Sequence, residues 1–270
     1  MTSLTYLQFH IAFLIPAVML MIATAFVSRA QLPDAVPQVG SGRTYWTGVA
    51  IITVVALVYT TPWDNYLIAR GVWWYGDGST VATIGYAPLG EYLFILVQPW
   101  LTALWLSHLS LPGSWPDTGR ALRWRPRLAA LGAATLVGLA GWRLLGTSAT
   151  FYLGAILAWG APVLALQWGV GAPQLWARKR LVTIGVAVPT TYLCVADRIA
   201  IELGIWVLAE EYTTGLTVAG LPVEEALFFL VTNIFVVQGL VLYRWVLDRR
   251  ADNSVATLRL RAPDDEPGSA

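Results

Sequence analysis

Five carboxylic acids occur in two near-identical settings. The first runs Thr61-Pro62-Trp63-Asp64-Asn65, then Gly71-Val72-Trp73, then Pro88-Leu89-Gly90-Glu91-Tyr92-Leu93-Phe94. The second runs Val195-Ala196-Asp197-Arg198, then Gly204-Ile205-Trp206, then Pro222-Val223-Glu224-Glu225-Ala226-Leu227-Phe228-Phe229. Asp64 and Asp197 are 133 residues apart and Glu91 and Glu225 are 134 apart, a one-residue difference that a loop absorbs. Clustered carboxyls in apolar surroundings suit acid–base chemistry, because burial disfavours the charge while a helix N-terminus or an arginine favours it. A protonated acid beside an ionised one can donate and accept a proton within one turnover. Which carboxyl takes which role stays open at this level. The competing structural reading has Pro88 and Pro222 in first helical turns, Glu91 and Glu225 in the favourable field of the helix dipole, and Arg198 paired with Glu202 four residues on.

The elements that must carry these acids are membrane helices. Among 270 residues, 57% are hydrophobic and only 12% charged, about half the charged content usual for a soluble domain. Stretches of about 20 apolar residues occur seven times, over 4–27, 46–69, 88–108, 128–145, 150–170, 181–206 and 221–247. The first has no basic leader and no cleavage site, so it reads as a retained span rather than a signal peptide. Gly-, Pro- and Arg-rich connectors such as 111–127 and 171–180 separate the spans. Residues 251–270, ending in Asp264, Asp265, Glu266 and Pro267, read as a flexible polar tail.

Of the 17 lysines and arginines, all but Arg70, Arg143 and Arg198 fall after spans one, three and five or in the C-terminal segment. The positive-inside rule then places the N-terminus outside and the C-terminus in the cytoplasm. Matching spans of the two motif regions lie four apart, so the repeats run parallel, with span four as the linker restoring parity. The expected architecture is all-α: two parallel three-helix repeats (1–110 and 149–250) joined by 111–148, in the cytoplasmic membrane. Asp197 lies 16 residues into its span, or ~24 Å at 1.5 Å per residue. Asp64 is at similar depth, and Glu91, Glu224 and Glu225 lie within a turn of the same membrane face. All five carboxyls therefore belong to one slab beneath the outer surface.

Aromatic side chains crowd the same motifs: Trp63, Trp73, Trp74, Tyr75, Tyr92, Phe94, Trp206, Phe228 and Phe229. They fit an interfacial belt, or ring faces that stabilise a carbocation by about 2 kcal/mol or more in a dry site.

Pro62-Trp63-Asp64-Asn65, Pro88 with Glu91-Tyr92, and Leu221-Pro222-Val223-Glu224-Glu225-Ala226-Leu227-Phe228-Phe229-Leu230-Val231-Thr232-Asn233 together resemble the membrane-helical lycopene cyclases. In that family the two homologous halves are separate subunits or, as here, one fused chain. The resemblance implies a redox-neutral lycopene β-cyclase, an isomerase of carotenoid biosynthesis that closes the ends of lycopene through γ-carotene to β-carotene. An acid protonates the terminal double bond, an internal double bond attacks the tertiary cation, and a base removes a ring proton. Matched residue by residue, Glu225 and Glu91 are the implied catalytic acids, Asp64 and Asp197 their partners or bases, and Glu224 a supporting acid. Trp73, Trp206, Tyr92, Phe94, Phe228, Asn65 and Arg198 are the expected substrate-binding set. Gly90 stands where a counterpart of Glu224 could be, which favours one composite site over two equivalent ones.

The partners so implied are lycopene dissolved in the bilayer and membrane lipid, with no nucleic acid. No cofactor is evident, and no Gly-rich dinucleotide fingerprint follows a strand, which excludes the flavoprotein type of cyclase. The lone Cys194 and two histidines leave little room for a metal. His10 and His108 read as interfacial. A retinal-type pump needs a membrane-buried lysine, and the single lysine, Lys179, lies in a basic connector. The remaining alternative is a transporter binding cations at the repeated carboxyls. Gln98, Asn233 and Gln238 are the main polar residues at greater depth, a small set for a conduction path.

Overall fold

The computed structural model describes residues 4–31, 42–109, 115 and 124–261, with side chains described for 4–26 and through Arg250 at the two ends. Seven α-helices lie among them: α1 (Tyr6–Gln31), α2 (Arg43–Arg70), α3 (Leu89–Ser107), α4 (Trp124–Leu144), α5 (Phe151–Ala177), α6 (Lys179–Glu202) and α7 (Val223–Arg261). Six of them, all but α4, are long and apolar enough to cross a membrane. The protein is thus a helical polytopic membrane protein. Among the expected basic residues, Arg120 and Arg123 lie outside the described residues, as do the side chains of Arg29, Arg259 and Arg261 and the acidic end at 264–266. The backbone of α7 stays helical to Arg261, eleven residues into the stretch read as tail.

Three short strand pairs were not anticipated: β1 (Trp73–Tyr75) with β4 (Trp206–Leu208), β2 (Thr83–Ile84) with β3 (Ala87–Pro88), and β5 (Thr217–Val218) with β6 (Leu221–Pro222). They are too short for periodicity to reveal, and they organise the site. In each half a helix ends at a glycine in the left-handed region, Gly71 (φ 76°) or Gly204 (φ 67°). This conformation is cheap only without a Cβ. The chain then forms a three-residue strand and a two-residue hairpin before starting the next helix. Leu89 N–H donates to Ala82 O and Val223 N–H to Leu216 O, at 2.8 and 3.0 Å, so α3 and α7 begin in the same way. Pro88 and Pro222 end the hairpins rather than opening the helices; Pro88 is the N-cap of α3, with ψ 158°.

Strands β1 and β4 join the halves. Their antiparallel register sets Trp74 opposite Val207, its own repeat counterpart, with Trp73 opposite Leu208 and Tyr75 opposite Trp206. Flanking bonds from Gly76 N–H to Ile205 O and from Ala209 N–H to Val72 O obey the same exchange. A pseudo-two-fold axis therefore passes between Trp74 and Val207, and both motif loops lie at one end of the bundle. The helix contacts follow that symmetry: α1 packs on α3 as α5 packs on α7, α2 on α3 as α6 on α7, and α3 and α7 meet at the centre.

Buried polar groups tie the centre together. Asn233 Oδ1 accepts from Gln98 Nε2 (2.8 Å) and Thr102 Oγ1 (2.5 Å), while its Nδ2 donates to Thr190 Oγ1 (3.1 Å). In an apolar solvent such bonds hold helices in register. Two of the deep polar residues that could have lined a path are thus spent on α3–α6–α7 packing. Outside the symmetry, α4 lies along α5 at glycine contacts: a Cβ on Gly141 would stand 2.5 Å from Ala158 N, and one on Gly154 2.8 Å from Gly141 O. Helix α5 kinks at Gly171 and runs on to Ala177, so the expected connector 171–180 is mostly helical. Leu242 fills the space beside that glycine.

Candidate active site

The loop ends of the helices surround a small cavity of about 60 Å³. Asp64 comes from the last turns of α2 and Asp197 from those of α6, while Glu91 and Glu225 come from the first turns of α3 and α7. All four line this one cavity, two from each half. Asp64, Asp197 and Glu225 are buried and Glu91 half-buried. Among the described residues no lysine or arginine lines the chamber, so none of the four is neutralised there by an ion pair. The Oδ2 atoms of Asp64 and Asp197 have no hydrogen-bond partner among the described residues, an arrangement costly in a resting core and useful where a proton must be exchanged.

Each glutamate is held by a tyrosine. Tyr75 Oη donates to Glu91 Oε1 at 2.6 Å and itself accepts from Trp73 Nε1 at 3.0 Å. Tyr152 Oη donates to Glu225 Oε1 at 2.9 Å. Burial, and then the charge of Glu91, holds the Tyr75 phenol well above its ordinary range, so it remains a donor. Removing either hydroxyl takes away one bond to a buried carboxyl, worth about 1.5–3 kcal/mol when the acceptor is charged. Tyr152→Phe and Tyr75→Phe are each expected to slow turnover by about ten- to a hundredfold without loss of fold. Initial rates and thermal unfolding on the same preparations check this.

The walls are aromatic. Trp206 lies 4.9 Å from Tyr6 between ring centroids, and its counterpart Trp73 lies 5.5 Å from Tyr152. The first helix of each half therefore packs its start against the other half. Trp63 stacks on Phe228 at 5.8 Å with the rings 7° apart, and Phe94 meets Phe229 edge-on. Trp73, Trp206, Phe94 and Phe228, anticipated as substrate-binding residues, line the cavity.

Four anticipated site residues do not line it. Glu224 is fully buried, but its Oε1 accepts from the backbone N–H and the hydroxyl of Thr214, both at 2.8 Å, which pins the loop before β5. Its counterpart Gly90 is small because the Tyr6 ring lies against it. Asn65 Oδ1 accepts from Tyr86 and Ala87 N–H at 2.8 and 3.2 Å, and Tyr92 Oη donates to Ile84 O at 2.7 Å, so both clamp the β2–β3 hairpin. Arg198 makes the expected ion pair with Glu202 (2.5 Å) and packs beneath Gly220 of the other hairpin.

His10 is not interfacial. Its ring is buried in the cavity wall, with Nδ1 2.9 Å from Tyr6 O and Nε2 without a partner among the described residues. The packing of α1 across the interface brings it there, which its depth alone did not indicate. His108 is half-buried at the far end of α3, with Nε2 3.0 Å from Thr24 Oγ1. Tyr6 and Tyr152 are site residues that the motifs do not contain. Their signal in the sequence is their common place at the start of each half's first helix.

Fold and cavity define a class: a polytopic membrane protein of two like halves around one carboxyl-lined, aromatic-walled chamber. The chain is 55% identical over 202 residues to the lycopene beta-cyclase of Halobacterium salinarum, covering 75% of this chain and 84% of the relative. It is 30% identical over 244 residues to the bifunctional lycopene cyclase/phytoene synthase of Blakeslea trispora and 34% identical over 222 to that of Phaeosphaeria nodorum. These alignments cover 88% and 78% of this chain but only 38% and 36% of the longer fungal proteins. The chain matches no protein-family model and no solved structure. It belongs to the lycopene β-cyclase family.

Proposed function

We propose that this chain is a lycopene β-cyclase, an intramolecular lyase of the isomerase class, whose reaction takes place in the cavity between the two repeats. One observation carries the reading: four carboxyls, two from each half, line a single apolar chamber. A protonated Glu225 or Glu91 gives its proton to the terminal double bond of lycopene. The tertiary cation is attacked by an internal double bond, forming the ring C–C bond and moving the charge into the ring. Asp64 or Asp197, each with an unpartnered carboxyl oxygen, takes the ring proton, and the β-ionone ring remains. Electrons are only rearranged, so no oxidant or reductant is consumed.

The aromatic walls serve the two cations. Ring faces attract positive charge by about 2 kcal/mol or more where water is excluded, and exclusion of water also keeps the cation from being quenched. Tyr75 and Tyr152 hold the glutamates, while Asn65, Tyr92, Arg198 and Glu224 fix the hairpins that roof the chamber.

The site faces the external leaflet, the N-terminus is outside and the C-terminus cytoplasmic, and lycopene enters from the bilayer. This orientation rests on Arg43, Arg178, Lys179, Arg180, Arg249 and Arg250, which lie in or beside their helices on the side of the bundle remote from the carboxyls. The division into repeats 1–110 and 149–250, joined through 111–148, rests on the β1–β4 exchange symmetry. The family groups the chain with enzymes rather than transporters. Expression in a lycopene-accumulating host is expected to shift its pigment from red toward orange-yellow, with β-carotene replacing lycopene on chromatography. Unchanged lycopene in cells whose membranes contain the protein would refute the reading.

A further inference from the structure

A second opening lies where α1 and α3 diverge below the carboxyl chamber. This groove of about 610 Å³ is lined by apolar side chains alone, among them Ile15, Val18, Ile22 and Ala25 of α1 and Val97 and Trp100 of α3. It lies further along the same two helices: Leu14 lines the chamber and Ile15 the groove, as do Phe94 and Leu96 on α3, with Leu14, Val18, Phe94 and Val97 packed in one cluster at the boundary. Trp46 stacks on Trp100 at 5.9 Å to form one wall, and the Thr24–His108 bond lies near the far end.

The equivalent seam of the second half is closed. Gln167 Nε2 donates to Phe235 O at 2.8 Å and Trp168 Nε1 to Gln238 Oε1 at 3.1 Å, stitching α5 to α7. Gly160 meets Val231 closely enough that an added Cβ would stand 3.1 Å from it. Two symmetric halves thus share one chamber, while the groove lies along α1 and α3 and the matching α5–α7 seam is bridged.

Building on the cyclase reading, we propose that this groove is the binding site for the remainder of the polyene while one end reacts in the chamber. From Tyr6, beside the carboxyls, to Ala25 is 19 residues of α1, or about 28 Å, a length that suits an extended apolar chain with one end in the chamber. A hydrocarbon offers no charge to grip, so apolar burial along such a groove is the means of recognition open to it. With one groove and one chamber, the two ends react in separate visits. On the second visit the groove must hold a tail that already ends in a ring. The middle of the groove therefore governs both ring closures, and its far end governs the second.

The test uses the full chain in liposomes, with lycopene and with a truncated acyclic polyene that has the same end group but is too short to pass the chamber. Val18→Trp fills the middle of the groove from α1 and Val97→Trp from α3; both are expected to slow lycopene turnover about tenfold or more while truncated substrate reacts within about twofold of wild type. Ala25→Trp is expected to leave the first closure near normal and to accumulate the monocyclic product. Lycopene turnover unchanged in all three variants would overturn the proposal and leave the groove to bilayer lipid. Equal losses on both substrates in both mid-groove variants would overturn it as well. If the wild-type protein cyclises neither substrate, it is the cyclase reading that fails.

Discussion

Glu225→Gln is expected to abolish ring closure, with a loss of at least about a hundredfold, while membrane insertion and thermal stability stay near wild type. General acid catalysis by a positioned group contributes about 10²–10⁴-fold. The amide keeps the shape of the side chain but has no proton acidic enough for an alkene. Tyr152 Oη, 2.9 Å from Glu225 Oε1, can still donate to the amide oxygen, so the change removes the chemistry with little change in packing. Chromatography of pigments from a lycopene-producing host, alongside quantification of the protein in membranes, reads this directly. Retained activity would take Glu225 out of the catalytic set and shift the proton donor to another member of the cavity.

Glu91→Gln is expected to cause a loss of similar size, and its product pattern is more telling than its rate. Glu91 is bound by Tyr75 within a Trp73–Tyr75–Glu91 chain for which the second half has no equivalent, since Leu208 occupies the position of Tyr75. If each half worked as a separate site, losing one glutamate would leave the other half active and halve the rate. A single composite chamber behaves otherwise: both Glu91→Gln and Glu225→Gln leave lycopene itself unconverted, because each ring closure needs carboxyls from both halves. Near half-normal rates in each variant would restore the two-site picture. The double variant adds a check, since groups acting as one unit give losses far from additive.

The order in which structural levels became visible follows from the physics of each. Membrane spans are legible because the bilayer sets a length of about 20 apolar residues for a helix that must satisfy its own backbone. Six of the seven expected spans meet that standard in the fold, and α4, with Arg125, Arg127 and Arg143 in its end turns, is present as a 21-residue helix. The repeat was equally legible, because its acids, glycines and prolines recur at fixed offsets and each has a backbone or chemical reason to recur.

Neighbouring residues on a helix were the limit. Asp64 and Asn65, Asp197 and Arg198, and Glu224 and Glu225 are adjacent pairs, and consecutive positions point about 100° apart. One member of each pair faces the chamber and the other clamps a hairpin or loop. Motif membership does not separate them; the rotation of each helix about its axis does. That rotation is set by packing between halves: the β1–β4 register, the Tyr6–Trp206 and Tyr152–Trp73 contacts, and the Asn233 network.

The sequence by itself determined that this is a helical membrane protein with two parallel acidic repeats, because hydropathy, charge placement and internal offsets are properties of the chain read in one dimension. Only the tertiary structure decided that four of the five acids share one chamber, that Tyr6, His10 and Tyr152 join them, and that, among the described residues, an apolar groove lies along α1 and α3. Those outcomes depend on which faces of distant helices meet across a pseudo-two-fold axis, and side-chain direction at such a crossing is a property of the assembled bundle.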